Sequence, residues 1–247
     1  VISLDRRSFT IGAAGLVSGF LLGGGVSAML LREDRKASLT LLGSGQSLSA
    51  LISSQRARVA LLHGTDPADF GNALRQARVP LLAHTDITLV PDPQNTGRTF
   101  ISTALTQLGK TKVYVSGDAT PLLDAGITVD EVLVAKTSLA LPGDVTLDIE
   151  EPDEASWRAT LTATNGAAAI VVGDGIPSIG AGPFATWVQL QGALPSSDQF
   201  AGNGPQTIVI PASAMSGAAV REYQDAASWN PTIVRVHAGE AQMIDLA

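Results

Sequence analysis

The sequence predicts an α/β protein: an αββα sandwich of two sheets with helices outside, preceded by a single N-terminal transmembrane helix. Three observations predict it. Beyond residue 37, short apolar runs of strand length recur between turn residues, with helical spacing between some of them. Their order is strands first, then a mixture, then strand, helix and two strands, which fits two sheets better than one doubly wound sheet. Ahead of them, residues 8–31 run 24 residues without a charge between Arg7 and Arg32, and a helix needs about 20 apolar residues to cross a hydrocarbon core.

Taken in order, residues 38–42 and 47–52 read as a hairpin about Gly43-Ser44-Gly45-Gln46, and 58–62 as a third strand. Asp66 or Asp69 can cap a helix running to Arg78, with Phe70, Ala73, Leu74 and Ala77 on one face. Residues 79–83 read as a buried strand, and 91–97, Pro-Asp-Pro-Gln-Asn-Thr-Gly, as a loop by turn chemistry. A helix is expected over 100–108 and strands over 112–115, 131–135 and 145–149. A strongly apolar strand over 167–172 ends at Gly173-Asp174-Gly175. Residues 186–192 are expected as a short helix, 207–210 as a strand, 216–227 as a helix, and 232–236 and 241–246 as closing strands.

Asp5-Arg6-Arg7-Ser8-Phe9-Thr10 resembles the twin-arginine export signal, Ser/Thr-Arg-Arg-x-Phe-Leu-Lys. Arg6, Arg7 and Phe9 match, while Asp5, Thr10 and Ile11 depart. Val26-Ser27-Ala28 offers a small-residue processing site. The apolar run exceeds the roughly 7–15 residues of a secretory signal core, so a retained anchor is expected. Arg32, Arg35 and Lys36 are interleaved with Glu33 and Asp34, which leaves charge bias undecided about orientation. The motif then sets the expected layout in a bacterial inner membrane: residues 1–7 a cytoplasmic leader, 8–31 the anchor, 32–37 a linker and 38–247 a periplasmic domain. Gly15, Gly19, Gly23 and Ser27 recur every fourth residue, a small-residue ridge that lets a second helix approach closely. Other membrane-protein subunits are the expected partners.

The chain carries 16 basic and 23 acidic residues, net −7. Binding to nucleic acid or to an anionic membrane face rests on Lys and Arg, so neither is an expected partner of the exported domain. With no cysteine there is no disulfide, no thiolate metal site and no iron–sulfur ligand set. Trp157, Trp187 and Trp229 are scattered, which gives little for sugar stacking.

Gly45-Gln46-Ser47-Leu48-Ser49-Ala50-Leu51-Ile52, followed by Ala60-Leu61-Leu62-His63-Gly64-Thr65-Asp66, resembles the opening of the metallo-β-lactamase fold, where a hairpin leads into a strand ending in an Asp-x-Gly turn. Asn165-Gly166-Ala167 ahead of Ile170-Val171-Val172-Gly173-Asp174, then Ile208-Val209-Ile210-Pro211-Ala212-Ser213, and finally Pro231-Thr232-Ile233-Val234-Arg235-Val236 are similar to its later parts. The resemblance is nearest to the lactamase-like domain of bacterial DNA-uptake channels, and it is one of element order over residues 38–247 with few identities. It implies a metal held by a His-x-His-x-Asp-His loop, because a catalytic zinc takes about three protein ligands and keeps a position open for water.

That spacing is missing. His63, His84 and His237 are the only histidines, and the nearest candidate ligand set is His84, Asp86 and Asp174. No metal or other cofactor is therefore expected. Ser44, Ser47 and Ser213 lie in small-residue turns without a Gly-x-Ser-x-Gly elbow. The acidic run around Pro152 reads as a solvated loop. The chain is thus expected to be no enzyme: a membrane-anchored accessory subunit of a larger membrane complex, photosynthetic or respiratory by analogy, its degenerate domain docking on the periplasmic face. The alternative is an anchored metal-dependent hydrolase using His84, Asp86 and Asp174.

Overall fold

The computed structural model of the protein describes residues 37–54, 57–78, 85–133, 136–141, 145–150, 157–163, 166–173, 185–200 and 204–245. The expected anchor, its ridge of Gly15, Gly19, Gly23 and Ser27, and the export motif of Arg6, Arg7 and Phe9 lie outside those residues. Among the described residues no helix is long and apolar enough to cross a membrane.

Strands β1 (Ser38–Ser44) and β2 (Ser47–Ser53) form the expected hairpin. Gly45, at φ +66°, takes the first central position of its two-residue turn, where a II′ turn needs the left-handed region. Strand β3 (Arg58–Leu61) pairs antiparallel with β2, and helix α1 (Pro67–Gln76) carries the chain over to β4 (Ile87–Val90), parallel to β3. Asp66 caps α1, accepting from the N–H groups of Ala68 at 2.8 Å and Asp69 at 3.2 Å, and Pro67 opens the first turn, where no N–H is needed. Asp66→Ala is expected to lower stability by about 1 kcal/mol. A urea midpoint that does not move would show that the cap contributes nothing.

Helix α2 (Arg98–Leu108) leads to β5 (Lys112–Ser116), and the short α3 (Thr120–Asp124) to β6 (Glu131–Leu133), both strands continuing the parallel part of the sheet. Strands β7 (Thr137–Leu141), β8 (Val145–Ile149), β9 (Trp157–Ala163) and β10 (Gly166–Val172) start a second sheet as an antiparallel run. Strands β11 (Thr186–Gln191), β12 (Thr207–Pro211) and β13 (Thr232–Val236) extend it in parallel, with α4 (Gly217–Ala226) between the last two. Strand β14 (Ala241–Asp245) returns to the far side of β1. The two seven-stranded sheets therefore run β14-β1-β2-β3-β4-β5-β6 and β13-β12-β11-β10-β9-β8-β7.

Side chains alternate between the faces of each strand, and here both faces are apolar. Leu39, Leu41, Leu48, Ala50, Val59 and Leu61 of the first sheet meet Leu147, Leu161, Ile170 and Val188 of the second in the central core. Leu42, Leu51, Ala60 and Leu62 face outward instead, under Phe70 and Leu74 of α1 and Phe100, Ile101 and Ala104 of α2. On the outer face of the second sheet Trp187, Ile208 and Ile210 lie under Val220 and Tyr223 of α4. Helices thus cover both outer faces of a two-sheet sandwich, as the order of elements predicts.

Three local expectations are corrected or left aside. Where a short helix was expected over 186–192, Thr186–Gln191 form β11, because Thr186, Trp187, Val188 and Leu190 are buried on both faces and that even burial conceals the strand period. Strands β4, β7 and β9 carry polar or charged residues between the apolar ones and were not expected. The expected strand over 79–83 lies outside the described residues; Arg78 just before it has φ +51° and closes the turn after α1.

Candidate functional site

Strands β3 and β4 run parallel, so their carboxyl ends open at the same edge of the sandwich. Continuing the alternation of Val59 and Leu61, His63 points inward between the sheets and is 1% exposed. Its backbone is held by the neighbouring strand: its N–H donates to Ser49 Oγ at 3.1 Å, and the Ser49 hydroxyl donates to its carbonyl at 3.1 Å. The loop after β4 comes alongside. Asp92 Oδ1 accepts from the Asn95 N–H at 3.1 Å and Oδ2 from the Asn95 amide at 2.7 Å, closing the loop over 92–95. The Gly97 N–H donates to Gly64 O at 3.1 Å, which ties the loop to the residue after His63.

Both imidazole nitrogens are engaged. Nδ1 lies 3.2 Å from Thr96 Oγ1, and Nε2 contacts the side-chain amide of Gln191, at the end of β11 in the other sheet. The Thr96 hydroxyl has one proton and donates it to Asp92 O at 2.5 Å. It therefore accepts from His63, so Nδ1 carries the ring proton and Nε2 the lone pair. Gln191 faces Nε2 with its Oε1, and a half turn of the amide, whose two ends are interchangeable, brings its NH2 group to the lone pair of that tautomer. Burial holds the His63 pKa below the ordinary histidine value of 6.5, opposed by the Asp92 charge. His63 is accordingly a neutral base at pH 7.

Stability carries the sign of that shift. Below pH 6.5 the unfolded chain binds a proton at His63 that the folded chain does not, so folding weakens as pH falls through this range. The stability difference between the protein and His63→Gln is expected to shrink on acidification from pH 8 to pH 5. A constant difference in urea midpoint would overturn the buried neutral state.

Beside Thr96 a cavity of about 340 Å³ is lined by Thr65, Gln94, Asn95, Thr96, Gly97 and Arg98. Its charged lining residue is Arg98, at the first turn of α2, with no acidic residue in that turn. His63 is not among the lining residues; Thr96, the partner of its Nδ1, lies between the ring and the cavity.

Of the alternative's candidate ligands, His84, Asp86 and Asp174, one is described. Asp86 lies at the amino end of β4, the opposite end from His63, where its Oδ2 accepts from the Arg58 N–H at 2.9 Å. His84 and Asp174 lie outside the described residues. Asp86 was read as a loop residue, whereas it directly precedes β4, which ends at Val90. The loop after β4 runs Pro91-Asp92-Pro93-Gln94-Asn95-Thr96, its one carboxylate bonded to Asn95. Among the described residues no three His, Cys, Asp or Glu side chains come together, and a zinc site needs about three such ligands.

The serine candidates are committed to the backbone. Ser44 donates to Asp66 O at 3.0 Å, Ser47 to Ser44 O at 3.1 Å, and the exposed Ser213 to Gln46 O at 3.2 Å. Thr96 and Gln191 are legible in the sequence only as a loop residue and a polar residue beside an apolar run. For His63 there was a usable signal, the inward phase it shares with Val59 and Leu61.

No protein-family model matches the chain, and no curated protein matches it by sequence. Solved structures do. An isothiocyanate hydrolase from Delia radicum gut bacteria matches with a TM-score of 0.52 at 11% identity, over 85% of this chain and 100% of its own. Zinc-bound PqqB from Methylobacterium extorquens matches with a TM-score of 0.52 at 8% identity, over the same shares. Igni18, a metallo hydrolase from the archaeon Ignicoccus hospitalis, reaches 0.49 at 12% identity. The chain has the metallo-β-lactamase fold. This corrects the expectation that it is no enzyme: the structures it resembles include a named hydrolase, and the absence of one ligand motif removes one chemistry from a fold without removing the fold's capacity for others.

Proposed function

We propose that the chain is a membrane-anchored hydrolase of the lactamase fold that works from the His63 edge, outside the cytoplasm, with no use of a His-x-His-x-Asp-His metal loop. The observation that carries this reading is His63 itself: a buried, neutral imidazole whose Nδ1 proton is held by Thr96, beside a polar cavity. With the proton on Nδ1, Nε2 is the basic atom, and withdrawal of the exposed Gln191 side chain opens it to a water molecule. Arg98 supplies positive charge at the cavity wall for an oxyanion formed there. The twin-arginine-like leader and the 8–31 run support the anchored, periplasmic placement.

The test uses the full chain in mild detergent, dialysed against EDTA, with ester, thioester and lactam substrates. Turnover that survives dialysis and falls about 10²–10⁴-fold in His63→Gln is expected, the range for losing a general base. No turnover on any of the three classes, or turnover retained in His63→Gln, would overturn the reading.

A second reading concerns company and is compatible with the first. The ridge of Gly15, Gly19, Gly23 and Ser27 favours packing of the anchor against other membrane chains, as in an accessory subunit of a photosynthetic or respiratory complex. Purification from its own membrane in mild detergent is expected to bring the protein down at fixed ratio with other subunits. Recovery as a monomer counts against it.

A further inference from the structure

We propose that Gln189 is the positioning residue of the site: buried inside a β-bulge, it turns Gln191 from the outer face of its sheet onto His63. The inference rests on the reading of His63 as the working base.

Trp187 lies on the outer face of the second sheet and Val188 and Leu190 on the inner, so simple alternation would put Gln191 outside, away from His63. The register with β10 prevents this. Val171 pairs with Gln189 but Val172 pairs with Gln191, so Leu190 is one residue in excess. A bulge of this kind places two successive side chains on the same side and re-aims the strand beyond it. Gln191 thereby joins Leu190 on the inner face.

Gln189 reaches the two carbonyls where the strands meet again after the bulge, one of which, Gln191 O, also accepts from the Gly173 N–H at 2.9 Å. Its side chain is fully buried, and its Nε2 donates to Gly173 O at 2.6 Å and to Gln191 O at 2.6 Å. Its Oε1 accepts from the Trp187 indole N–H at 3.0 Å. Both N–H groups and the oxygen of the amide are thus engaged at the bulge. The strand ends are pressed together: Gly192 has φ +99°, and a Cβ there would sit 2.7 Å from Gly173 O. A leucine or methionine at 189 fills the same space and can hold neither carbonyl.

The experiment reads the ring nitrogen NMR shifts of His63 in the folded, isotope-labelled full chain, which separate the Nδ1–H from the Nε2–H tautomer. The wild type is expected to show the Nδ1–H form alone. In Gln189→Met the two ring nitrogen signals are expected to move toward each other as the tautomers mix, and Gln191→Ala is expected to do the same. Should Gln189→Met fail to fold, Trp187→Phe removes the indole N–H that fixes the amide and is expected to shift the signals in the same direction. His63 signals unchanged in Gln189→Met, or in Trp187→Phe where that variant must stand in, overturn the proposal. The spectrum is read whether or not the protein hydrolyses anything, so its outcome is separate from that of the EDTA-dialysed assay.

Discussion

Phe100→Ala is expected to lower stability by about 3–5 kcal/mol, the range for removing a fully buried aromatic side chain. Phe100 is fully buried in the first turn of α2, edge-on to Phe70 of α1 with ring centroids 5.4 Å apart and planes at 80°. It joins the two helices that cover the first sheet. It also backs the site, because a Cβ on Gly64 would come within 3.0 Å of its ring. The cavity left by alanine lies directly beneath the residue after His63, so the His63 ring signals are expected to broaden along with the loss of stability. A fall in the urea midpoint equivalent to less than about 1 kcal/mol would show that the helices close over the gap, well short of the usual cost.

Gly43→Ala is expected to cost about 3 kcal/mol, the upper range for forcing an extra methyl group into packed structure. A Cβ at residue 43 would stand 2.0 Å from His237 O and 2.8 Å from its carbonyl carbon, and backbone atoms cannot rotate away as a side chain can. The approach is maintained by the Gly43 N–H donating to Glu240 O at 2.9 Å and the Gly239 N–H donating to Gly43 O at 3.1 Å, bonds that seat the last turn on β1. Alanine must part these strands, and β14 pairs with the first sheet only through β1. Thermal unfolding measured beside Gly217→Ala, where the nearest atom to a new Cβ is an arginine side-chain nitrogen at 3.8 Å, provides the control. Equal midpoints in the two variants would sink the steric account.

Much of the fold is legible in the residues because burial writes a local period. The hairpin at Gly45, the cap at Asp66, the helical stripe of Phe70, Ala73 and Leu74 and the apolar β10 run all depend on neighbours a few positions away. The αββα layering follows from their order. Where both faces of a strand are buried the period disappears, and β11 was therefore expected as a helix. Strand β4 is only four residues long and was not expected, so Asp86, read as a loop residue, lies at the amino end of a strand.

By itself, then, the sequence determined the sandwich, the uncharged run ahead of it, and the absence of the His-x-His-x-Asp-His spacing and of cysteine chemistry. These are properties of composition and local pattern, and no tertiary contact can alter them. Tertiary structure alone decided which polar side chains meet at the carboxyl end of β3. His63 and Gln191 are 128 positions apart and meet only because β3 and β11 end at the same edge and a one-residue bulge turns Gln191 inward. A contact of that kind depends on how two sheets close on each other and on a single shift of register, and neither leaves a period in the chain.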